Sequence, residues 1–267
     1  MLADVRAIAV QAGQRILDFY AQELPVDYKS DDSPLTHADR ASHAYIVQAL
    51  RALTPDIPVL SEESPEDEVA GRKGWATFWL VDPLDGTKEF VKKTTGEFTV
   101  NIALIDGAEP VLGVVHVPVK GVTYFADAAG AFKQDGDAAP VPIQARQAAD
   151  AALTVVASRD HAGAEVAAIL DRLGDAGYAV DSASMGSSLK FCLVAEGQAD
   201  FYPRTVPTFE WDTAAAQAIV EAAGGRVATR DGERLAYNKD DIRNPSVFAV
   251  GDPAFDWQRF VEQEVPS

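Results

Sequence analysis

Two carboxylates stand three positions apart in the hexapeptide Asp-Pro-Leu-Asp-Gly-Thr at residues 82–87. The apolar run before it, at 78–81, predicts a buried strand. We expect this strand to end at Asp82 and Pro83, because proline cannot donate to a sheet ladder, and a short helix to begin at Thr87. Carboxylate oxygens beside a helix N-terminus suit a phosphate that is held against a bound cation. The segment therefore predicts a site for a metal ion and a phosphate group.

Other acidic residues also fall at the ends of predicted elements. Glu62 and Glu63 follow a predicted strand at 57–60, and Asp212 opens a predicted helix at 213–223. Each has an ordinary alternative: the glutamates could be a solvated pair, and Asp212 could be a helix cap. Carboxylates that converge at element ends can bind Mg²⁺ through oxygen ligands while several waters are retained. The combination with the hexapeptide favours a Mg²⁺ site.

The composition argues against some classes of partner. The chain has 267 residues, of which 47% are hydrophobic and 24% charged, and its formal net charge is −18 at pH 7. This charge disfavours nucleic-acid polymers and anionic membranes, although bound cations could reverse the field locally. A lone cysteine, Cys192, excludes an internal disulfide and is typical of a reducing compartment. Because we find no signal-peptide pattern and no apolar run of spanning length, we expect a cytoplasmic protein; peripheral association with the inner membrane face stays open.

The elements that must position these residues are predicted from hydrophobic periodicity. Two helices come first, at 3–22 and 39–53, and the polar stretch 27–37 predicts a loop or hairpin. Charged residues at 65–74 predict a surface loop or lid. Strands are predicted at 57–60, 78–81, 98–105, 111–119, 122–126, 153–157, 179–182, 200–203 and 247–250. Further helices are predicted at 164–173, 188–196, 213–223 and 254–263.

This order of elements predicts a layered α/β (α+β) protein with two sheets. Helices and a meander of strands fill the first half, whereas strands alternate with helices in the second. The stretch 134–150, rich in Asp, Ala, Gln and Pro, marks the boundary. We therefore expect an N-terminal half at 1–135, which carries most of the acidic residues, and a C-terminal half at 136–267.

The acidic motifs resemble those of a known family. Glu62-Glu63, the hexapeptide 82–87 and Trp-Asp-Thr-Ala-Ala at 211–215 resemble the signature of the inositol monophosphatase superfamily of Mg²⁺-dependent, lithium-sensitive phosphatases. Ala216 departs from the pattern, since many members have glycine there, and this should affect helix packing rather than ligands. The resemblance implies an α/β/α/β/α sandwich of the sugar-phosphatase type.

Longer stretches resemble one branch of that superfamily, the bacterial CysQ type of 3′(2′),5′-bisphosphate nucleotidase. These stretches are residues 80–90, 96–104, 186–192 and 199–204. The resemblance covers nearly the whole chain and is weakest over 130–150 and 226–245. It implies hydrolysis of the 3′-phosphate of adenosine 3′,5′-bisphosphate to AMP, and of 3′-phosphoadenosine 5′-phosphosulfate to adenosine 5′-phosphosulfate, in clearing a by-product of sulfate assimilation.

The same resemblance implies roles for residues of the acidic site. Two or three Mg²⁺ ions would be held by the following ligands: Glu62, Asp82, the Leu84 carbonyl, Asp85 and Asp212. Glu62 would also be catalytic, and Asp39 and Thr87 would orient the attacking water. The physical chemistry agrees, because a phosphomonoester repels nucleophiles until metal ions neutralise its charge and activate water. Backbone N–H groups of Gly86 and Thr87 could hold the phosphate oxygens.

Substrate specificity is expected to lie in the second half. A bisphosphonucleotide carries a second phosphate, which basic groups should meet. The resemblance points to four residues for this role: His161, Ser187, Lys190 and Arg204. Arg204 could instead form a structural ion pair with Asp200 or Glu210. Glu210 could contact a ribose or base, or support Trp211.

Other functions stay open at this stage. The same scaffold could serve an inositol monophosphatase, a histidinol-phosphatase or a fructose-1,6-bisphosphatase, because function resides in the site rather than in the fold. A non-catalytic sensor that binds metal and nucleotide is a remote alternative. The basic set Ser187, Lys190 and Arg204 favours the nucleotide as substrate. The sequence leaves the choice between monomer and homodimer open.

Overall fold

The computed structural model describes residues 1–21, 34–148, 152–157 and 163–261. Its larger sheet has seven strands that lie side by side in chain order. They are β1 (Val59–Ser61), β2 (Thr77–Asp85), β3 (Thr99–Asp106), β4 (Glu109–Val117), β5 (Val122–Asp127), β6 (Gly130–Asp135) and β7 (Val141–Pro142). β1 pairs with β2 in parallel, and each later pair is antiparallel. Because β1 and β2 run in parallel, the residues that follow them emerge at one edge of the sheet.

β2 carries the hexapeptide and does not end where the sequence predicts. It continues past Pro83, with a register shift between Asp82, opposite Asn101, and Asp85, opposite Thr99. The prediction that the strand ends at Asp82 and Pro83 is wrong, because an extra residue forms a bulge in which proline's missing donor is not needed. The bulge keeps both carboxylates at the end of the strand.

A pair of helices covers one face of this sheet, namely α1 (Leu2–Tyr20) and α2 (Pro34–Leu53). Their apolar residues recur at helical spacing and form one buried cluster with sheet residues that include Trp79 and Val100. This burial fixes α2 against β2 and so brings the first turns of α2 towards the acidic residues.

Two further helices, α6 (Leu189–Ala195) and α7 (Glu210–Ala222), lie between the two sheets. α7 packs on β3, β4 and β5. The packing requires glycine at position 113 of β4, because a Cβ built on Gly113 would lie 2.2 Å from the carbonyl oxygen of Ala215. A helix from the second half of the chain therefore rests directly on the first sheet.

The second sheet has five strands in the order β12-β14-β10-β8-β9. They are β8 (Ala152–Ala157), β9 (Ala179–Ser184), β10 (Phe201–Arg204), β12 (Arg226–Thr229) and β14 (Val247–Val250). α5 (Ala164–Asp175) and a 3₁₀ turn at Trp257–Phe260 form a buried cluster with its outer face. The layers thus follow the order α/β/α/β/α, which confirms the predicted fold class. A short pair, β11 (Thr208–Phe209) with β13 (Arg243–Asn244), lies apart from both sheets.

Some predicted elements differ from the observed ones. The segment 65–74 is not a loop: it forms α3 (Glu66–Gly71) and a 3₁₀ turn at Arg72–Gly74. Arg72 is buried and donates to the carbonyl oxygens of Val69 and Lys239, both at 2.6 Å, which ties this segment to the body of the protein.

Other predicted boundaries also move. Within the described residues, the helix predicted at 254–263 is reduced to the turn at Trp257–Phe260, because Pro253 and its neighbours form a turn. Of the polar stretch 27–37, residues 34–37 belong to α2 and the others lie outside the described residues.

None of the helices in the described part of the chain has both the length and the apolar character needed to cross a bilayer.

Candidate active site

Three carboxylates converge where β2, α4 (Thr87–Lys92) and α7 meet. One side-chain oxygen from each of Asp82, Asp85 and Asp212 lies within 4.8 Å of the others. Asp82 and Asp85 flank the bulge of β2, and Asp212 lies in the first turn of α7. Leu84, whose carbonyl the sequence implicates, lies between the two aspartates of β2. Asp212 is 127 positions from Asp85 and 130 from Asp82 along the chain, so this grouping depends on the packing of α7 on the first sheet.

Each of the three carboxylates is oriented by a hydrogen bond to one of its oxygens. The backbone N–H of Leu84 donates to Asp82 Oδ1 at 3.0 Å, and that of Phe209 donates to Asp212 Oδ2 at 2.7 Å. Asp85 Oδ2 accepts from the backbone N–H of Ser188 at 2.7 Å. These bonds arise from the bulge, from the start of α7 and from the residue before α6, so the local backbone sets the direction of each carboxylate.

The burial and mutual repulsion of these carboxylates favour the binding of a cation. Burial, followed by the charges of Glu62 and Asp85, raises the pKa of Asp82 well above its ordinary value. Burial and Asp85 raise the pKa of Asp212 to about 7. Burial and Asp85 likewise raise the pKa of Glu62 to about 7. A divalent cation would remove the repulsion among these groups, and an all-oxygen set of donors is the set that Mg²⁺ prefers. The residues present therefore fit a Mg²⁺ site.

Asp39, on α2, lies beside the two glutamates. Its pKa is raised to about 8, first by burial and then by the charges of Glu63 and Glu62. Its Oδ1 atom is buried and has no hydrogen-bond partner in the part of the chain that the structure describes. Thr87 is exposed at the first position of α4, and among the described residues no hydrogen bond joins it to Asp39. The structure thus brings Asp39 to the acidic group without a direct hydrogen bond to Thr87, its expected partner in orienting the attacking water.

The short helix predicted after the hexapeptide is present as α4, and Gly86 precedes it. Gly86 has φ 94°, in the left-handed region that favours glycine. A Cβ built there would lie 3.2 Å from the carbonyl oxygen of Glu97 and from Cα of Phe98. Glycine therefore allows the chain to turn sharply out of β2, which brings Thr87 next to Asp85.

A cavity of about 330 Å³ opens beside the acidic residues. One side comes from the end of β2 and from α4, and the other comes from the turn before α6, from β10 and from the start of α7. The cavity is lined by Asp85, Gly86, Thr87, Lys88, Glu89, Ser187, Ser188, Lys190, Phe191, Tyr202, Arg204, Val206, Thr208, Asp212 and Thr213. Its lining therefore combines the carboxylates of Asp85 and Asp212 with the basic side chains of Lys190 and Arg204.

Ser187 and Lys190 both line the cavity, at the turn before α6 and in α6 itself. Lys190 is 5% exposed, and burial lowers its pKa to about 8. Its Nζ donates to the carbonyl oxygens of Ser187 at 2.8 Å and Met185 at 3.3 Å, which leaves the third N–H for a ligand. Ser187 has φ 46°, and its hydroxyl is buried without a hydrogen-bond partner. Both side chains thus retain the capacity to bind a polar ligand.

Arg204 does not form either of the ion pairs that the sequence left open. Asp200 is paired with Arg146, whose Nε donates to Asp200 Oδ1 at 2.7 Å. Glu210 is paired with Lys239, with 2.7 Å between Oε1 and Nζ. Arg204 lines the cavity instead, and its buried Nε atom has no hydrogen-bond partner among the described residues. This placement favours a ligand-binding role over a structural one.

Glu210 lies outside the cavity. It is fully buried, and besides Lys239 Nζ it accepts hydrogen bonds from the backbone N–H groups of Asn238 and Lys239, both at 2.9 Å. With both oxygens occupied, Glu210 holds the loop before β13 against the start of α7. These contacts favour a structural role for Glu210 over the alternative contact with a ribose or base. His161 lies outside the described residues.

The sequence did not single out Ser188, Tyr202 or Thr208 as residues of the site. Ser188 lies within a stretch that carried the family resemblance, but its contact with Asp85 joins residues from opposite halves of the chain. Tyr202 lies on β10 of the second sheet and Thr208 lies on β11, which pairs with β13, so the tertiary packing of two separate sheets brings them to the cavity. No local pattern signals such contacts.

The chain is similar to characterised families over most of its length. Residues 1–255 match the inositol monophosphatase family. The 3′(2′),5′-bisphosphate nucleotidase CysQ of Salmonella typhimurium is 50% identical over 249 residues, which are 92% of this chain and 97% of that protein. The protein of the same name from Haemophilus influenzae is 36% identical over 260 residues, which are 97% of this chain and 95% of that protein.

Solved structures agree with the sequence comparison. CysQ from Bacteroides thetaiotaomicron, a bacterial member of the inositol monophosphatase family, has a TM-score of 0.83 at 43% identity. The similarity covers 94% of this chain and 98% of that chain. An inositol monophosphatase from Zymomonas mobilis has a TM-score of 0.76 at 24% identity over 97% of each chain, a likeness that shows the fold alone. The predicted resemblance is thereby confirmed: the chain belongs to the inositol monophosphatase family.

Proposed function

We propose that this protein is a 3′(2′),5′-bisphosphate nucleotidase. It removes the 3′-phosphate of adenosine 3′,5′-bisphosphate to yield AMP and phosphate, and it acts in the same way on 3′-phosphoadenosine 5′-phosphosulfate. The observation that carries the proposal is the cavity, which is lined both by the carboxylates of Asp85 and Asp212 and by the basic side chains of Lys190 and Arg204. A substrate with two separate anionic groups matches this arrangement. The CysQ relatives, about half identical to this chain, bear the name of this activity.

The carboxylates are proposed to hold Mg²⁺. Asp82, Asp85 and Asp212 would supply the central ligands, and Glu62 and the Leu84 carbonyl would complete the set. When bound, the metal ions supply neutralisation of the phosphoryl charge and activation of water. The family resemblance implies two or three ions for each site. The buried thiol of Cys192 does not line the cavity, so we propose no covalent intermediate on cysteine.

The basic and hydroxyl side chains that line the cavity are proposed to position the substrate. The third N–H of Lys190 and the guanidinium of Arg204 would hold the 5′-phosphate, with the Ser187 hydroxyl as a further donor. Gly86 and Thr87 lie next to Asp85 and would face the 3′-phosphate. Binding both phosphates fixes the ester bond relative to the carboxylates, and this positioning accounts for a large share of phosphoryl-transfer catalysis.

Asp39 is proposed to orient the attacking water together with Thr87. Its buried, unpartnered Oδ1 can accept a hydrogen bond from the Thr87 hydroxyl or from water. Glu62, beside it, would share this task while it binds metal.

We place the protein in the cytoplasm, because its Cys192 thiol is free and a reducing compartment keeps thiols in that state.

Product analysis tests this function directly. The purified protein is incubated with adenosine 3′,5′-bisphosphate and Mg²⁺, and the nucleotide product is separated by chromatography. We expect 5′-AMP and one phosphate, with inhibition by Li⁺, and no release by Asp85→Asn purified in parallel as a control for contaminating phosphatases. Release of the 5′-phosphate, or nucleotide binding without turnover, would contradict the proposal; the latter result would favour a sensor.

A further inference from the structure

Ser188 is the residue immediately before α6, in the second half of the chain. It contacts the carboxylate of Asp85, which belongs to the first half and to the proposed metal site. It is 2% exposed. Its backbone N–H donates to Asp85 Oδ2 at 2.7 Å, and its hydroxyl lies 2.8 Å from the same oxygen. The hydroxyl of Thr99 approaches this oxygen as well, at 3.4 Å. One oxygen of Asp85 is therefore held by the protein, which leaves the other oxygen available to a ligand.

The Ser188 hydroxyl also contacts two other parts of the site. Asn101 Nδ2 donates to Ser188 Oγ at 2.9 Å, and Ser188 Oγ lies 2.9 Å from the backbone carbonyl oxygen of Asp212. Since a hydroxyl has one hydrogen and Asn101 supplies a donor to its oxygen, that hydrogen must point to Asp85 or to Asp212. Asn101 is 1% exposed and lies opposite Asp82 in the sheet. The Asn101–Ser188 pair thus adjoins all three central carboxylate residues.

We propose that Ser188 is a positioning residue for metal binding, which fixes the Asp85 carboxylate relative to the start of α7, and that Asn101 orients its hydroxyl. Groups that hydrogen-bond a ligand restrict its orientation, and their loss weakens metal affinity without removing the ligand itself. The inference rests on the proposed function, because it concerns the metal ions that the phosphatase needs.

The local backbone explains how Ser188 reaches Asp85. Ser187, the preceding residue, adopts the left-handed conformation, and Lys190 Nζ donates to its carbonyl oxygen at 2.8 Å. This turn directs the N–H and the hydroxyl of Ser188 towards Asp85, while Ser187 and Lys190 line the cavity. The same turn therefore connects the metal site with the groups proposed to bind the second phosphate.

A Mg²⁺ titration without nucleotide tests this inference. Wild-type protein, Ser188→Ala, Asn101→Ala and the double variant are titrated by calorimetry. Thr123→Val serves as the matched control, because it removes another buried hydroxyl, one that contacts His116 away from the cavity. We expect Ser188→Ala to weaken Mg²⁺ binding about tenfold and Asn101→Ala to weaken it in the same direction but less. The control should stay within about twofold of wild type.

The double variant separates positioning from a general loss of packing. If Asn101 acts through the Ser188 hydroxyl, the double variant should bind Mg²⁺ no more weakly than Ser188→Ala. Independent, additive losses would overturn the role of Asn101, and a Ser188→Ala affinity within about twofold of wild type would overturn the role of Ser188. If Ser188→Ala fails to fold, the inference is tested with Ser188→Thr and Asn101→Ala instead. Ser188→Thr should bind Mg²⁺ with wild-type affinity, and Asn101→Ala should bind it more weakly.

This test does not depend on the substrate. If the wild type binds Mg²⁺ but fails to hydrolyse adenosine 3′,5′-bisphosphate, the proposed function fails while the comparison of affinities still decides the role of Ser188. If hydrolysis occurs and the variants bind Mg²⁺ as the wild type does, the inference on Ser188 fails and the proposed function stands.

Discussion

The Lys190 ammonium donates a hydrogen bond to the carbonyl oxygen of Ser187 at 2.8 Å from a side chain that is 5% exposed. Lys190 therefore has two roles to distinguish. It stabilises the turn before α6 through this hydrogen bond, and it lines the cavity. Substrates that differ by one phosphate can separate these roles.

Lys190→Met should weaken hydrolysis of adenosine 3′,5′-bisphosphate more than that of adenosine 3′-monophosphate. A charge-assisted hydrogen bond contributes about 1.5–3 kcal/mol, so we expect a loss in kcat/KM of roughly ten- to a hundredfold on the bisphosphate. The monophosphate serves as the internal control, because it lacks the 5′-phosphate. Equal losses of kcat/KM on both substrates would show that Lys190 acts only by stabilising the turn at Ser187 and does not bind the 5′-phosphate.

Asp212→Asn should lower kcat roughly a hundredfold or more. The substitution weakens the binding of metal ions, which contribute several kcal/mol to stabilisation of the transition state. The fold should persist, since an Asn side-chain oxygen can still accept from the Phe209 N–H. In the metal-free protein at pH 8, the variant should unfold at a higher temperature than wild type, because burial and Asp85 raise the pKa of Asp212 and its ionised form is disfavoured.

Thermal unfolding with and without Mg²⁺ checks this prediction. Mg²⁺ should raise the Tm of the wild type and raise that of Asp212→Asn much less, because the variant lacks one ligand. A variant that keeps both the Mg²⁺-induced rise in Tm and near-wild-type turnover would remove Asp212 from the metal site.

His116 should make folding stability depend on pH. Burial lowers its pKa from an ordinary 6.5 to about 4, so its contribution is complete above pH 6.5 and is lost as the pH falls towards 4. Between pH 7 and pH 5 this group should remove about 2 kcal/mol from the free energy of unfolding, because the unfolded chain takes up the proton first. Urea unfolding of wild type and His116→Gln measures this loss. An identical pH dependence in the two proteins would refute the assignment.

The sequence predicted the acidic site better than it predicted its surroundings. The carboxylates of the hexapeptide lie where an apolar strand ends, and strand and turn are local features that periodicity reveals. The α3 segment was missed because its many charges suggest a loop, whereas acidic residues also favour a helix N-terminus. The Ser188 contact with Asp85 could not be predicted, because it depends on how α6 and α7 pack between the sheets.

Glu210→Gln should affect stability rather than substrate binding. Lys239, which is partly exposed, would lose the charge of its fully buried carboxylate partner, and we expect the free energy of unfolding to fall by about 2 kcal/mol. The KM for adenosine 3′,5′-bisphosphate should stay within about twofold, because no atom of Glu210 lines the cavity. Urea unfolding and steady-state kinetics on one preparation give both values. A raised KM at unchanged stability would restore the contact with ribose or base.

The most direct test of the proposed specificity is kcat/KM in Mg²⁺ for adenosine 3′,5′-bisphosphate and for myo-inositol 1-phosphate on one preparation. Lys190 and Arg204 should favour the nucleotide by about a hundredfold or more, or roughly 2.7 kcal/mol of transition-state binding. A preference for the inositol ester would keep the metal site and its chemistry but contradict the assignment of these basic residues to a second phosphate.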